Sequence, residues 1–404
     1  MVRWEIIEGH LGTPQGFRAA AAAAGIKAKL GALDLALIVS EGVAASAAGT
    51  FTTNVAAAAP VLLSRQNLAK SRGRARAIIV NSGNANAGTG RDGRKAAAVT
   101  AEAVARLTGA PPQEVLVCST GVIGVPLNAA LILAQLPALA ERLSSENAAE
   151  VPHAIMTTDT FAKSCVLRSE YRGRAVHLAG VAKGAGMIHP RMATMLSFIT
   201  TDAGLAPGRL RRLLRSAVRQ SFNRISVDGD TSTNDTVLAL ANGFAGVKIG
   251  AANTVWFESG LRELCQTLAK MIARDGEGAT KLVTVEVTGA RSEHDAERAA
   301  RAIANSPLVK TAIAGNDPNW GRILCAAGYS GARFDPDKID IFVNHLPLCR
   351  RGLDAVLDEA AAKKELDQNE LSIRLDFHQG KGSARMWTCD LTHAYIDINA
   401  SYRT

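Results

Sequence analysis

The sequence predicts an α/β protein, with a large domain followed by a smaller, strand-richer α+β domain at the C-terminal end. Two observations carry this. Short apolar, β-branched runs alternate with longer stretches of helical composition along most of the chain. From about residue 286 the strands crowd together and charge rises, which sets soft bounds of 1–285 and 286–404. A third fact limits the class. The 404 residues, 47% hydrophobic and 21% charged, can bury a large core without disulfide or metal staples, so disorder is excluded as the main character.

The elements follow in order. Ala75–Val80 (ARAIIV) reads as a buried strand ending at Asn81-Ser82-Gly83. Asp92–Leu107 has helical composition, with Asp92 as its N-cap. Glu114–Cys118 is a short strand that runs into Ser119-Thr120-Gly121. Pro126–Leu143 reads as a helix with proline in its first turn. Ser197–Thr200 is a strand and Pro207–Gln220 an arginine-studded helix. Thr236–Ala241 and Val255–Ala273, rich in alanine and leucine, read as helices. Lys281–Thr288 alternates with period two; Lys338–Val343 and Ala394–Ile398 do so less strictly, and all three read as strands. The runs Ala19–Ala24 and Ala56–Ala59 suit tight helix packing or turns.

Charge and cysteine usage exclude several functions. Lysine and arginine number 46 against 37 acidic residues, a net charge of +9. The densest basic runs, Arg72–Arg76 and Arg209–Arg215, have no interleaved aromatics, so attraction for small carboxylates is favoured over nucleic acid. The six cysteines form no CxxC pair, which argues against structural zinc and for buried reduced thiols. No run of 18 apolar residues and no leader-like opening is present, so no membrane association and a cytoplasmic location are expected.

Four segments carry more Gly, Asn and Thr than packing needs. Asn81–Gly90 (NSGNANAGTG) is either a surface loop of turn residues or a loop that positions backbone amides beside a site. In Cys118–Gly124 (CSTGVIG), the Thr120 hydroxyl and the Gly121 amide form a pair of donors for a developing oxyanion. Lys183–Ala203 (KGAGMIHPRMATMLSFITTDA) lacks the GK[ST] ending of a phosphate loop. Its Thr194 is a poor nucleophile unless a base stands beside it. A cut just before it would supply its own α-amine, with an unperturbed pKa of about 7.7–8.0. On the residues alone, a strand threonine in an apolar run is the simpler reading. Asp228, Asp230 and Asp235 fall in VDGDTSTNDT, which fails the EF-hand pattern and reads as a polar turn, with Asp235 or Thr233 capping a following helix.

The long middle segment resembles the signature of the ornithine acetyltransferase family, the self-cleaving glutamate N-acetyltransferases of arginine biosynthesis. The resemblance runs nearly end to end. It takes in Pro14–Ala19, Gly49–Asn54, NSGNANA, STGVIG, Met156–Phe161, Asp228–Thr236, Asp275–Lys281 (DGEGATK), Gly315–Arg322 and the closing INASYRT.

The resemblance implies stacked sheets flanked by helices, a fold shared with self-cleaving aminopeptidases. It implies a cut between Ala193 and Thr194, giving an α chain 1–193 and a β chain 194–404 that stay together as a heterotetramer of two α and two β. Thr194 would be the nucleophile and Thr120 with Gly121 the oxyanion hole. Substrate contacts would map to Thr157, Lys183, Thr194, Glu277, Asn399 and Thr404. The partners implied are N-acetylornithine and glutamate, with no metal or organic cofactor. Acetyl-CoA would be a second donor in a bifunctional member. Gly88 and Ser401 depart from the family pattern, which often has cysteine at the first and an acidic residue at the second. Two rivals stand beside this reading: an N-terminal-nucleophile amidase or aminopeptidase on the same scaffold, and an uncut protein that only binds amino acids.

Overall fold

The computed structural model describes residues 3–189, 195–356 and 358–401. The chain divides into two compact units. Among the described residues, one comprises those up to Asn223 with Asp230–Ala269; the other comprises Arg224–Gly229 with those from Lys270 to Ser401.

The first unit contains strands β1 (Glu5–Ile7), β2 (Phe17–Ala22), β3 (Leu35–Ser40), β4 (Ala45–Phe51), β5 (Arg74–Ala75), β6 (Ala77–Asn81), β7 (Val115–Ser119), β8 (Lys163–Tyr171), β9 (Arg174–Lys183), β10 (Leu196–Thr201) and β11 (Thr236–Ala241). They form a seven-stranded sheet ordered β1-β8-β9-β10-β11-β4-β5 and a four-stranded sheet ordered β2-β3-β6-β7. The helices of this unit are α1 (Ala59–Lys70), α2 (Gly90–Thr108), α3 (Ala129–Glu141), α4 (Val151–Ile155), α5 (Pro207–Arg219) and α6 (Thr254–Arg274), whose last turn counts with the second unit.

The two sheets share one core and each carries helices outside it. Strand β3 shows why. Its Ala36 and Ile38 join Phe198 and Leu238 of the larger sheet, while Leu35, Leu37 and Val39 pack with Val104 of α2 and Leu136 of α3. Both faces are covered, so LALIVS is apolar throughout rather than alternating. Outside the larger sheet, Gly180 of β9 faces Leu264 and Leu268 of α6; a Cβ there would stand 2.9 Å from Leu268. Helix α5 starts with Pro207 at its first position and buries Leu210, Leu213, Leu214, Ala217 and Val218, leaving most of its arginines outside.

The layered α/β architecture agrees with the sequence reading, but several elements differ. Thr236–Ala241 is not a helix; it is β11, parallel to β10 and fully buried. Six residues suit a strand, and burial on both faces, with Leu238 and Leu240 in the inter-sheet core, removes any alternation. Asp235 and Thr233 therefore cap no helix. Ala19–Ala22 lie in β2, where alanine keeps the packing thin. Helix α2 begins at Gly90, so Asp92 sits in its first turn, where a carboxylate complements the helix dipole. Helix α3 begins at Ala129 under an Asn128 cap; Pro126 precedes it and Pro137 lies inside. Five of the six unpaired cysteines are buried, whereas Cys325 is exposed.

The second unit has one sheet, from β12 (Leu282–Ala290), β13 (Asp340–Val343), β14 (Leu346–Arg350), β15 (Leu353–Asp354), β16 (Glu370–Asp376) and β17 (Gly382–Cys389), ordered β15-β14-β13-β16-β12-β17. Residue 286 falls inside β12, between parallel β16 and antiparallel β17. Alternate residues Val283, Val285 and Val287 pack with Ala296, Ala300 and Ile303 of α7 (Glu293–Asn305). Helices α8 (Pro307–Ala314), α9 (Trp320–Tyr329) and α10 (Glu359–Leu366) complete that core, and α11 (His393–Ser401) follows. The expected strand Ala394–Ile398 lies within α11. Its loose alternation leaves Ile396 and Ile398 exposed, so no buried face specified a strand.

Candidate functional site

The Asn-rich loop settles first. Its Asn81, Ser82, Asn84 and Asn86 are buried, and their polar groups are paired inside the protein. Asn81 Nδ2 donates to the Asn84 carbonyl at 2.9 Å, and Asn81 Oδ1 accepts from Ser119 Oγ at 2.6 Å. Asn234 Nδ2 donates to the carbonyls of Ala85 (2.6 Å) and Ser119 (2.8 Å). The segment is thus a positioning loop, not a surface one. Burial of this many amides is tolerated because each is satisfied.

What the loop positions is Thr120-Gly121. The Thr120 amide donates to the Asn81 carbonyl at 3.0 Å, and the Val122 amide to that of Gly83 at 3.3 Å. Gly121 has φ +128°, and a Cβ on it would stand 2.3 Å from the Gly83 carbonyl carbon. Only glycine fits this close backbone approach. With the Thr120 amide used, the donors left in this turn are its hydroxyl and the Gly121 amide, which meets no acceptor among the described residues.

Lys183, the last residue of β9, brings the other side chains in. It is 2% exposed. Its Nζ donates to Thr157 Oγ1 at 2.8 Å and to Thr120 Oγ1 at 3.4 Å. Of the expected site residues, Thr120, Gly121, Thr157 and Lys183 therefore converge in the first unit. In the second unit, Asn399 Nδ2 donates to Glu277 Oε2 at 2.8 Å. The loop bearing Glu277 is fixed by Gly278, with φ +70° and close against the Tyr395 amide, and by Asp390, which accepts from the Thr280 and Lys281 amides. Ala193, Thr194 and Thr404 lie outside the described residues.

Two carboxylates have roles that the sequence does not reveal: Asp159, and Asp235, which reads there only as a helix cap. Asp159 lies two residues after Thr157, in Met156–Phe161. Its Oδ1 accepts from Lys163 Nζ (2.6 Å) and from the Gly184 amide (2.7 Å), and its Oδ2 from the Thr157 amide (3.0 Å). Burial raises its pKa, but Lys183, Lys163 and the Gly184 amide together outweigh that and hold it at about 2. Asp235 takes the opposite state. It is fully buried, and burial pushes it well above the usual carboxylate range against the pull of the Met195 amide, 2.8 Å away, and of Lys183. Its other oxygen has no hydrogen-bond partner among the described residues. A carboxyl pushed toward its neutral form therefore lies beside Met195, the second residue after the expected cut. Among the described residues no three His, Cys, Asp or Glu side chains converge as metal ligands.

A buried amine, two hydroxyls and an unspent glycine amide thus come together, donors that could serve an oxygen gaining charge. The model of the ArgJ family matches residues 18–404. The chain is 49% identical over 404 residues to the arginine biosynthesis bifunctional protein ArgJ of Symbiobacterium thermophilum, covering 99% of this chain and 100% of the relative. It is 47% identical to the protein of the same name from Caldanaerobacter subterraneus subsp. tengcongensis, with 99% and 100% covered. Among solved structures, the arginine biosynthesis bifunctional protein ArgJ of Bacillus halodurans matches with a TM-score of 0.51 and 45% identity, over 52% of this chain and 100% of that one. The chain belongs to the ArgJ family.

Asp159→Asn removes the counter-charge of two buried lysines. It is expected to lower stability at pH 7 by about 3–5 kcal/mol in urea unfolding. A depressed pKa gives stability that is present above the ordinary value of 3.8 and is lost as pH falls toward about 2. That acid-dependent loss should be seen in the parent and be absent from the variant.

Proposed function

We propose that the protein moves an acetyl group from N2-acetylornithine to glutamate, by way of an acetyl ester on Thr194, in arginine biosynthesis. The observation that carries this is the convergence of Lys183, Thr157 and Thr120 beside the free Gly121 amide, in a chain whose relatives bear the name arginine biosynthesis bifunctional protein.

The chemistry runs as a two-step exchange. Thr194 Oγ attacks the acetyl carbonyl while its α-amine takes the hydroxyl proton. Thr120 Oγ1 and the Gly121 amide stabilise the oxyanion. The carbon–nitrogen bond breaks, and ornithine leaves with the proton on its amine. The α-amine of glutamate then attacks the ester, the carbon–oxygen bond breaks and the Thr194 hydroxyl is restored. Lys183 suits a substrate carboxylate, and Glu277, held by Asn399, suits an amino group; Thr404 completes the contacts. Acetyl-CoA serves as a second donor, which accords with the word bifunctional in the relatives' names.

The nucleophile requires the cut between Ala193 and Thr194, giving chains 1–193 and 194–404 assembled as two of each. The coverage of the solved relative supports this, since its whole chain matches 52% of this one and residues 194–404 are just over half of the length. The unpaired cysteines suit a reducing compartment such as the cytoplasm.

Three outcomes are expected. Terminal sequencing of purified protein should find a new N-terminus at Thr194, and Thr194→Ala should run as one uncut, inactive band. Ornithine release from N-acetylornithine should require glutamate; release into water alone would instead mark an amidase. Thr120→Ala should lower kcat by about 10²–10³-fold, the loss typical of one oxyanion donor.

A further inference from the structure

The first unit has a second concavity that the acyl site does not use. It encloses about 450 Å³ and is walled by β4, the end of α1 and the start of α5. Its floor is apolar. A Cβ on Gly49 would stand 2.7 Å from the Phe51 ring and 2.9 Å from Leu68, so glycine there lets both side chains lie directly on β4 and form that floor. The charged side chains of its lining are three arginines, Arg65, Arg72 and Arg211, with no carboxylate among them. Arg65 bonds the Thr52 carbonyl and lies 5.4 Å from the Phe51 ring centre. Arg72 and Arg211 enter no ion pair among the described residues.

Arg72 carries the stronger signal. It sits at the left-handed turn that ends α1, with φ +55°, where glycine is the ordinary occupant. Arg172 and Arg351 adopt the same conformation elsewhere, so it is the place of Arg72 at the rim of a basic cavity, beside Arg65 and Arg211, that sets it apart. The volume falls within the range of small-molecule sites, and an inorganic anion would fill a small part of it. A ligand that uses both the apolar floor and several positive charges has a flat ring and more than one phosphate oxygen.

We propose that this cavity binds a nucleoside phosphate, with the base over Phe51 and Leu68 and the phosphates on Arg72 and Arg211. Two sources share that chemistry: the nucleotide end of coenzyme A and a free nucleotide. Register brings the cavity near the reaction, because Phe51 pairs with Thr236, which pairs with Leu196, two strand spacings or about 10 Å apart. Only the coenzyme source rests on the acetyl-transfer reading.

The test is calorimetric titration of the full protein with adenosine 3′,5′-bisphosphate, ATP and inorganic phosphate. Saturable binding of a nucleotide, at least ten-fold tighter than phosphate and weakened by salt, is expected. Arg72→Gly and Arg211→Ala should each weaken it about ten-fold. Because glycine relieves the left-handed turn, Arg72→Gly should keep or raise Tm, so lost binding there is not lost folding. No saturable binding at millimolar nucleotide, phosphate binding as tight as nucleotide, or unchanged affinity in both variants would each overturn the proposal. A raised KM for acetyl-CoA in the variants, with N-acetylornithine exchange unchanged, identifies the coenzyme. Tighter ATP binding with both donor reactions unchanged identifies a free nucleotide. Failure of both donor reactions in the parent would remove the acetyl-transfer reading and leave the calorimetric result standing.

Discussion

A lysine amine inside a sheet needs a counter-charge that is equally hidden. Asp159 supplies it. Its side chain is fully buried, as is that of Lys163, with which it pairs at 2.6 Å, and its field reaches Lys183. The same two oxygens also take the amides of Thr157 and Gly184. One carboxylate therefore fixes the loop that carries Thr157, the turn that follows Lys183, and the charge balance of both amines. The separation in state between Asp159, kept ionised, and Asp235, pushed toward the neutral acid, comes from surroundings alone.

Much of this was legible beforehand, for physical reasons. Pro207 and the leucine spacing defined α5, and KLVTVEVT declared a strand through its alternation. The turn at Thr120-Gly121 and the amine of Lys183 were both named. Failures fell where local pattern is silent. TVLALA is buried on both faces, so nothing in it distinguishes strand from helix except length. The Ala394–Ile398 stretch alternates without a face to bury. Asp159 and Lys163 were overlooked because four residues between opposite charges usually suggests an exposed helix, whereas here the pair lies at the foot of a strand. The paired amides of Asn81 and Asn234 could not be read from composition, because satisfaction depends on partners far along the chain.

The second unit is organised by the same rules on a different plan. A mixed sheet, with β12 next to its edge strand β17, packs against helices rather than against another sheet. Its Glu277 is held by a helix side chain from one direction and by a glycine turn from the other. Lys281 and Lys310 are buried there too; Lys281 donates to the carbonyls of Ile313 and Leu366, and Lys310 to the Cys389 carbonyl and the Thr388 hydroxyl.

The approach of Gly121 to Gly83 has one more consequence. Two segments nearly forty residues apart touch through bare main chain, so no side chain at either point can be trimmed to make room. Evolution can reshape this corner only by moving both stretches at once. Variation in shape here is left to neighbouring side chains such as Thr157, which meets the Lys183 amine.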